Sequence, residues 1–352
     1  MREYSLKEIA RELNVSRGTL DRVIHNRGGI SAETTARVQE FLDRINYRPN
    51  RIGQSLARRK LVRLYVSFHD TQAEFFKDIR TGINAAAAEI ADFGFNVEFE
   101  EVSRDSAAQL NLVREAMRGG ADALALSAYE PDHFVELVDE IARSGKPVVT
   151  FNNDVVSSRR MAHVGSNYRA GGRLAGEVLA KAVKSGAVAV LRRSSSYFQN
   201  RERVTGFTEV IDSYEAIRMA GCFGGSTDYD SAYQNMARLL ETIPDLHGLF
   251  MLNNETDIIT ATCDAIRDSS RTPFDVVTLD LPAAVAREIT RGRISATVCQ
   301  DPFSQGYYAV KILFKILHEN VVPSRSIYST RLDVLYRENL DNYGKELYQT
   351  FL

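Results

Sequence analysis

The stretch NVSRGTLDRVIHNRGG, residues 14–29, decides how this chain is read. Leu20, Val23 and Ile24 recur at helical spacing behind Val15, so one narrow stripe suits burial. Ser16 stands where it can cap that helix, leaving Arg17, Gly18, Thr19 and Arg22 at its exposed start or flank. Any solvated surface helix looks like this, so the flanking residues decide. Upstream, Ser5-Leu6-Lys7-Glu8 has the capping-box pattern, and Leu6, Ile9, Ala10 and Leu13 form an apolar face that Asn14 ends. Downstream, HNRGGIS (25–31) reads as a loop in which Gly28 and Gly29 are free to take positive φ. Ser31 then opens a third helix with Val38, Phe41, Leu42 and Ile45 inward, stopping near Tyr47 ahead of Pro49.

Two short helices joined by a tight turn and closed by a third make a helix-turn-helix unit. In that geometry the start of the second helix enters the DNA major groove, where arginine can bridge the O6 and N7 acceptors of guanine. Charge supports a polyanionic partner for this end alone. Residues 1–60 hold 13 Lys and Arg against 7 Asp and Glu, a net of +6; the other 292 hold 31 against 39, a net of −8. The next segment, RPNRIGQSLARRK (48–60), reads as a basic linker or as a short helix lying on DNA. About eight residues are too few for a stable helix alone, and Gly53 weakens it by about 1 kcal/mol relative to Ala. Such a segment folds only when supported, which suits a switch.

Ile9, Ala10, Val15, Ser16, Thr19, Arg22, Val23, Ser31, Thr34, Val38, Asn46, Tyr47, Pro49, Asn50, Ser55, Leu56 and Ala57 have a spacing that resembles the lac-repressor (LacI/GalR) family of transcription regulators over the first sixty or so residues. The resemblance implies DNA contacts from Ser5, Ser16, Arg17, Thr19, Arg22 and His25. It also implies a hinge helix contributing Asn50, Arg51, Gln54, Leu56 and Ala57, with Leu56 as the minor-groove wedge. Gly53 departs from the family's usual alanine.

From Lys60 onward, apolar runs alternate with amphipathic helical stretches: LVRLYVSF, NVEFEEV, ALALSA, PVVTF, AVAVLRR, GLFMLN, FDVVTLDL and SATVCQ. Alternation on this scale predicts parallel sheets with helices on both faces, and this length suits two such subdomains. The body resembles the type I periplasmic sugar-binding-protein fold. The expected class is therefore α/β: a three-helix helix-turn-helix head (1–47), a hinge helix or linker (48–60), then two doubly wound α/β subdomains (61–345) and a tail (346–352). The resemblance implies three crossings, placed near Ser166, Asp301 and Ser326. They assign about 61–166 and 301–326 to one subdomain, and about 167–300 and 327–345 to the other.

Ligands of open α/β sheets bind beyond the carboxyl ends of strands. In sugar-binding relatives a Phe pair at the position of Phe75 and Phe76 stacks on a pyranose. Asn152 and Asn153 stand where those relatives place an Asp-Arg pair, Arg201 in QNRERVTGF resembles an arginine gripping hydroxyls, and Tyr229 matches a stacking aromatic. Asn253, Asp280 and Gln300 end strands and match polar contacts, and Ser127 joins them. Singly, each has a plainer role: Asp280 could cap the next helix, and Arg201 could pair with a carboxylate. Together they suit a small polar effector, namely a sugar, a polyol or cyclitol, or a sugar acid.

No P-loop, G-x-S-x-G or H-E-x-x-H pattern occurs, GGRLAG (171–176) has the wrong spacing for a dinucleotide fingerprint, and no cofactor or metal is expected. Its small residues read instead as a close helix contact. Asp228 and Asp230 suit a helix amino end better than acid-base catalysis. Cys222, Cys263 and Cys299 are expected as buried, reduced thiols. No apolar run follows a basic start and none is long enough to span a membrane. These readings converge on a non-enzymatic, cytoplasmic, nucleoid-associated repressor that binds a palindromic operator as a homodimer, with no membrane partner. A nucleobase or nucleoside corepressor is the alternative ligand, and a transport-type solute-binding protein the alternative class.

Overall fold

The computed structural model describes residues 6–24, 28–44, 61–69, 74–102, 105–192, 198–252, 255–271 and 273–343. The chain divides into two compact units, Met1–Arg59 and Lys60–Leu352.

In the first unit, α1 (Leu6–Glu12), α2 (Arg17–Ile24) and α3 (Ala32–Arg44) enclose Ile9, Ala10, Leu20, Val23, Val38, Phe41 and Leu42. Asn14, at φ +49°, makes the turn between α1 and α2. The Ser16 hydroxyl accepts from the Thr19 N–H at 3.0 Å, and Ser31 caps α3 likewise through the Thr34 N–H at 3.2 Å. Arg37 donates to the Leu13 carbonyl at 3.3 Å, tying α3 to that turn. Ser5, His25, Ile45, Tyr47 and the hinge candidates Asn50, Arg51, Gln54, Leu56 and Ala57 lie outside the described residues.

The second unit alternates strand and helix: β1 (Val62–His69), α4 (Glu74–Ala91), β2 (Phe95–Val102), α5 (Ser106–Arg118), β3 (Ala123–Ser127), α6 (Val135–Arg143), β4 (Val148–Phe151) and β5 (Ala162–Gly165). Next come α7 (Tyr168–Val183), β6 (Gly186–Arg192), α8 (Phe198–Ile211), β7 (Ile217–Gly224), α9 (Tyr229–Thr242), β8 (Leu246–Met251), α10 (Thr256–Asp268), β9 (Asp275–Leu279), α11 (Ala283–Thr290) and β10 (Ala296–Cys299). α12 (Pro302–Glu319), β11 (Ile327–Ser329) and β12 (Asp333–Leu335) complete it. Two six-stranded sheets result, ordered β11-β5-β4-β3-β1-β2 and β12-β10-β9-β8-β6-β7. Every pairing is parallel except β10 with β12. Each sheet is packed on both faces, so its central strands are buried from end to end, as in β3 and β4.

Four strands carry no signal of their own in the sequence. β5, β11 and β12 span only three or four residues. β7 is an edge strand interrupted by Gly221 and irregular in register opposite Val188 and Ala189. That edge also corrects the expectation for Cys222, which is exposed, whereas Cys263 and Cys299 are buried.

Glycines set the helix spacing. A Cβ on Gly172 or Gly206 would lie 2.0 Å from a backbone carbonyl oxygen of the facing helix, so α7 and α8 touch backbone to backbone. Gly82 and Gly306 do the same for α4 and α12. GGRLAG is thus a packing device.

The chain passes between sheets at residues 166–167, 300–301 and 330–332. The last passage is a few residues beyond Ser326, because β11 stays on the first sheet through Ser329.

Candidate functional site

All three passages leave or enter at carboxyl ends of parallel strands. Ser329 pairs with Gly165, where β5 ends, and Asp333 pairs with Cys299, where β10 ends. The carboxyl ends of both sheets therefore meet at one cleft, where doubly wound sheets hold ligands.

Three acidic or amide residues at those ends adopt left-handed backbone: Asn152 after β4 (φ +54°), Asp280 after β9 (φ +58°) and Asp301 before α12 (φ +53°). Asn and Asp tolerate that conformation at low cost because their short polar side chains can bond locally. The Asn152 carbonyl accepts from the Tyr168 hydroxyl at 2.5 Å. Burial holds that hydroxyl protonated, up to about 12, so it remains a donor. Both Asp280 oxygens accept from Gln300 Nε2, at 3.0 and 3.1 Å. Asp280 does not cap α11, whose cap position is Pro282.

The Gln300 amide is thereby oriented with Oε1 buried and, among the described residues, without a hydrogen-bond partner. Gln305 donates to the Gln300 carbonyl at 3.2 Å and its own Oε1 is in the same condition, as is Ser127 Oγ. Buried polar atoms are nearly always paired, so Gln300 and Ser127 at strand ends and Gln305 in α12 keep acceptor capacity for hydroxyl or N–H donors.

The aromatic pair divides its work. Phe76 is core: it stacks on Phe68 with ring centres 6.2 Å apart and meets His69 edge-on at 4.7 Å. Phe75 is half-buried, packs against the same core and meets Phe76 edge-on at 5.3 Å. Asn153 is buried, donating to the Ala128 carbonyl at 2.9 Å and accepting from Gln199 of the opposite jaw. A second bridge joins the jaws, where the Ala283 N–H donates to Glu74 Oε2 at 2.7 Å.

Two expected positions are at the surface. Arg201 is exposed on α8, while Arg203, two residues on, lays its guanidinium 4.9 Å from the centre of the Tyr168 ring. Tyr229 is 38% exposed, stacks beside Tyr233 and donates to Asp264 of α10 at 2.8 Å, so its hydroxyl serves a helix contact. Asn253 lies outside the described residues. Asp228 caps α9 in a capping box with Ser231, which holds its carboxyl below the usual range.

The pair missing from Asn152 and Asn153 exists nearby as Asp154 with Arg160, joined at 2.6 Å through Nη2 and Oδ2. Its setting is structural: Thr150 donates to Asp154 at 2.7 Å and Arg160 donates to the Ser326 carbonyl at 3.0 Å. Beside it, burial lowers the His163 imidazole to about 4, outweighing the Asp154 carboxylate. Glu74, Tyr168, Gln199, Arg203 and Gln305 carry no motif. The available signal is positional, since each lies on a helix that follows a strand end or passage.

A separate cavity of about 590 Å³ runs along α12 between Tyr308, Ile312 and Ile316 and the segment holding Val322 and Tyr328. Of the strand-end polar groups above it includes Asp301 alone, so the cleft is the site the chemistry points to. Among the described residues no cluster of His, Cys, Asp and Glu could hold a metal, and no helix is long and apolar enough to cross a membrane.

On the first unit, Gly18 and Arg22 are exposed along α2, and Arg22 reaches beside Gly29, where a Cβ would lie 3.3 Å from Nη1. The Thr19 hydroxyl is 2.9 Å from that of Ser16, so both serve the cap as well as facing outward. The backbone of Arg17 opens α2.

Comparison with known proteins agrees with both halves. Residues 64–320 match the model of the periplasmic binding protein domain, and residues 5–50 that of bacterial regulatory proteins, lacI family. The D-ribose/D-allose-binding protein of Pseudomonas aeruginosa is 26% identical over 258 residues, covering 69% of this chain and 78% of that one. Catabolite control protein A of Priestia megaterium is 21% identical over 325 residues, 91% of this chain and 94% of its own. The sugar-binding protein of a Bacillus halodurans sugar ABC transporter superposes with a TM-score of 0.72 at 23% identity, covering 80% of this chain and all of that one, a likeness of fold. With a helix-turn-helix head and a periplasmic-binding-protein body in one chain, this protein belongs to the lacI family of bacterial regulatory proteins, the DNA-binding transcription regulators.

Proposed function

We propose that the protein is a homodimeric repressor whose hold on a palindromic operator is set by a small sugar-like effector between the two jaws of the body. One observation carries the ligand reading: Gln300, fixed by Asp280 at the end of β10, keeps a buried amide oxygen without a partner among the described residues, and Gln305, which donates to the Gln300 carbonyl, keeps another. Acceptors of that kind suit hydroxyl donors, and Phe75 supplies an apolar face across the cleft. The similarity to sugar-binding proteins supports the same class.

On DNA, Arg17, Arg22 and Thr19 read the major groove with Ser5, Ser16 and His25 placing the helix, while Asn50, Arg51, Gln54, Leu56 and Ala57 form the hinge in the minor groove. A single such reader gives too little discrimination, and a two-fold dimer matches an inverted repeat. The effector acts through its differential affinity for two jaw arrangements, a coupling typically of about 1–3 kcal/mol. On this reading the protein works on the nucleoid.

The test combines two measurements on the full chain. The protein retards a duplex carrying an inverted repeat from its own promoter region, and a sugar or polyol that raises its melting temperature also changes that retardation. A monomer in sedimentation that retards no such duplex refutes the regulator mechanism. Melting shifts with no effect on retardation refute the coupling.

A further inference from the structure

We propose that Glu74 is a latch between the jaws: its carboxylate caps α11 from the opposite jaw, so the arrangement with the jaws together is held by a bond that breaks when they part. This rests on the two jaw arrangements invoked above and assigns one contact to one of them. Its readout is the distance between the jaws, so it can fail while the effector reading stands.

Glu74 opens α4 on the jaw of the first sheet, and Ala283 opens α11 on the jaw of the second. The first N–H groups of a helix have no partner within it and carry partial positive charge, so they favour an acceptor and above all an anion. In α5, α7, α9 and α12 that acceptor is the side chain at the helix's own cap position: Asp105, Asn167, Asp228 and Asp301. α11 has no such cap, since Pro282 makes no side-chain bond and the first turn holds no acid. Its acceptor comes from the other jaw, where Glu74 Oε2 takes the Ala283 N–H at 2.7 Å. Gln199 donating to Asn153 crosses the same gap. The covalent links between the jaws are the three passages. A rotation about them that moves α4 from α11 by an ångström or two carries this pair beyond the normal range, which ends near 3.2 Å for N–H···O. Glu74 is half-buried and Ala283 exposed, so water replaces the bond when the jaws part and the latch holds weakly. A weak latch suits an equilibrium that a small effector has to shift by its differential affinity. Ala283 is also the first residue of α11, a position where proline lacks only an N–H that no partner within the helix uses. Ala283→Pro therefore deletes the donor and leaves the helix in place.

The experiment is a pulsed electron-spin distance measurement on the full chain without effector. Spin labels sit on the exposed Cys222 of β7 and on Arg118→Cys at the exposed end of α5, one on each jaw, and labelled protein is diluted into unlabelled protein. The otherwise unchanged protein is expected to show a population at the distance of the jaws-together arrangement. Glu74→Gln keeps an oxygen for the Ala283 N–H but loses the charge, so the ratio of that population to longer distances falls about two- to fivefold. Glu74→Lys and Ala283→Pro lower it further. With Ala283→Pro already present, Glu74→Gln has a smaller effect, because the bond it weakens is gone. Distributions unmoved by Glu74→Lys and Ala283→Pro, or a protein wholly at longer distances before either change, overturn the latch. A Glu74→Gln shift equally large with and without Ala283→Pro also overturns it, because the carboxylate then acts through another partner.

Discussion

Asp280 combines two demands that few side chains meet together. Its backbone is left-handed at φ +58°, and its carboxylate holds Gln300 through both oxygens. Asp280→Asn keeps a residue that tolerates the conformation and an oxygen for Gln300, whereas Asp280→Ala loses both. A hydrogen bond to a charged group contributes about 1.5–3 kcal/mol, so Ala should weaken effector binding by roughly ten- to a hundredfold and Asn by less. Effector-free operator retardation should survive both changes, and equal losses for Asn and Ala would remove Gln300 orientation as the cause. His163 gives a second prediction at this scale. Burial lowers its imidazole to about 4 in the folded protein, against 6.5 when unfolded. The unfolded chain therefore takes up this proton first as pH falls. The stability involved is fully present above about 6.5 and drains away towards pH 4. Denaturant titrations across that window should show less pH dependence in His163→Gln, and an unchanged dependence would assign the effect to other groups.

Where helices cross at backbone contact, one methyl group is enough to report the packing. A Cβ on Gly206 would lie 2.0 Å from the Arg169 carbonyl oxygen, and one on Gly172 equally close to that of Arg203. Gly206→Ala should force α7 and α8 apart and cost about 1–3 kcal/mol, read as a lower melting temperature. Gly145→Ala is an instructive contrast, because no atom lies within 4 Å of its added Cβ and only its φ of +82° resists. Because α8 carries Arg203 over Tyr168, Gly206→Ala should also weaken effector binding. Elements of this kind were legible in the sequence wherever periodicity was strong: the capped helices of the head, the long buried strands and the small-residue contact in GGRLAG. β5, β11 and β12 were not: they lack the continuous apolar run that marks the equally short β4 and β10, and their partners rather than their composition make them strands. Which side chain faces the cleft was the least legible feature. Arg201 and Arg203 share a segment, yet two residues on a helix differ by about 200° in direction, so one is exposed while the other lies on the Tyr168 ring. Likewise the Phe75-Phe76 doublet is one motif in sequence but a half-buried residue and a core residue in the fold.

For the whole molecule the deciding quantity is the separation of charge along the chain, a net of +6 within residues 1–60 and −8 beyond them. Nonspecific attraction to DNA should come from the head alone, and a homodimer presents that head twice. Each phosphate neutralised releases condensed counterions, giving a slope of log affinity against log salt of about −0.9 per contact. If the two heads together make roughly six to ten such contacts, operator affinity should fall by about 10³–10⁵ between 50 and 200 mM salt. Leu56→Ala separates the hinge from this electrostatic contribution. It removes the proposed apolar wedge and no charge, so operator affinity should drop while the salt slope and the effector titration stay as in wild type. A slope that flattens with Leu56→Ala would mean the hinge chiefly serves to hold the basic side chains against the backbone. Salt-independent retardation would mean that the basic end of the chain is not what holds the duplex.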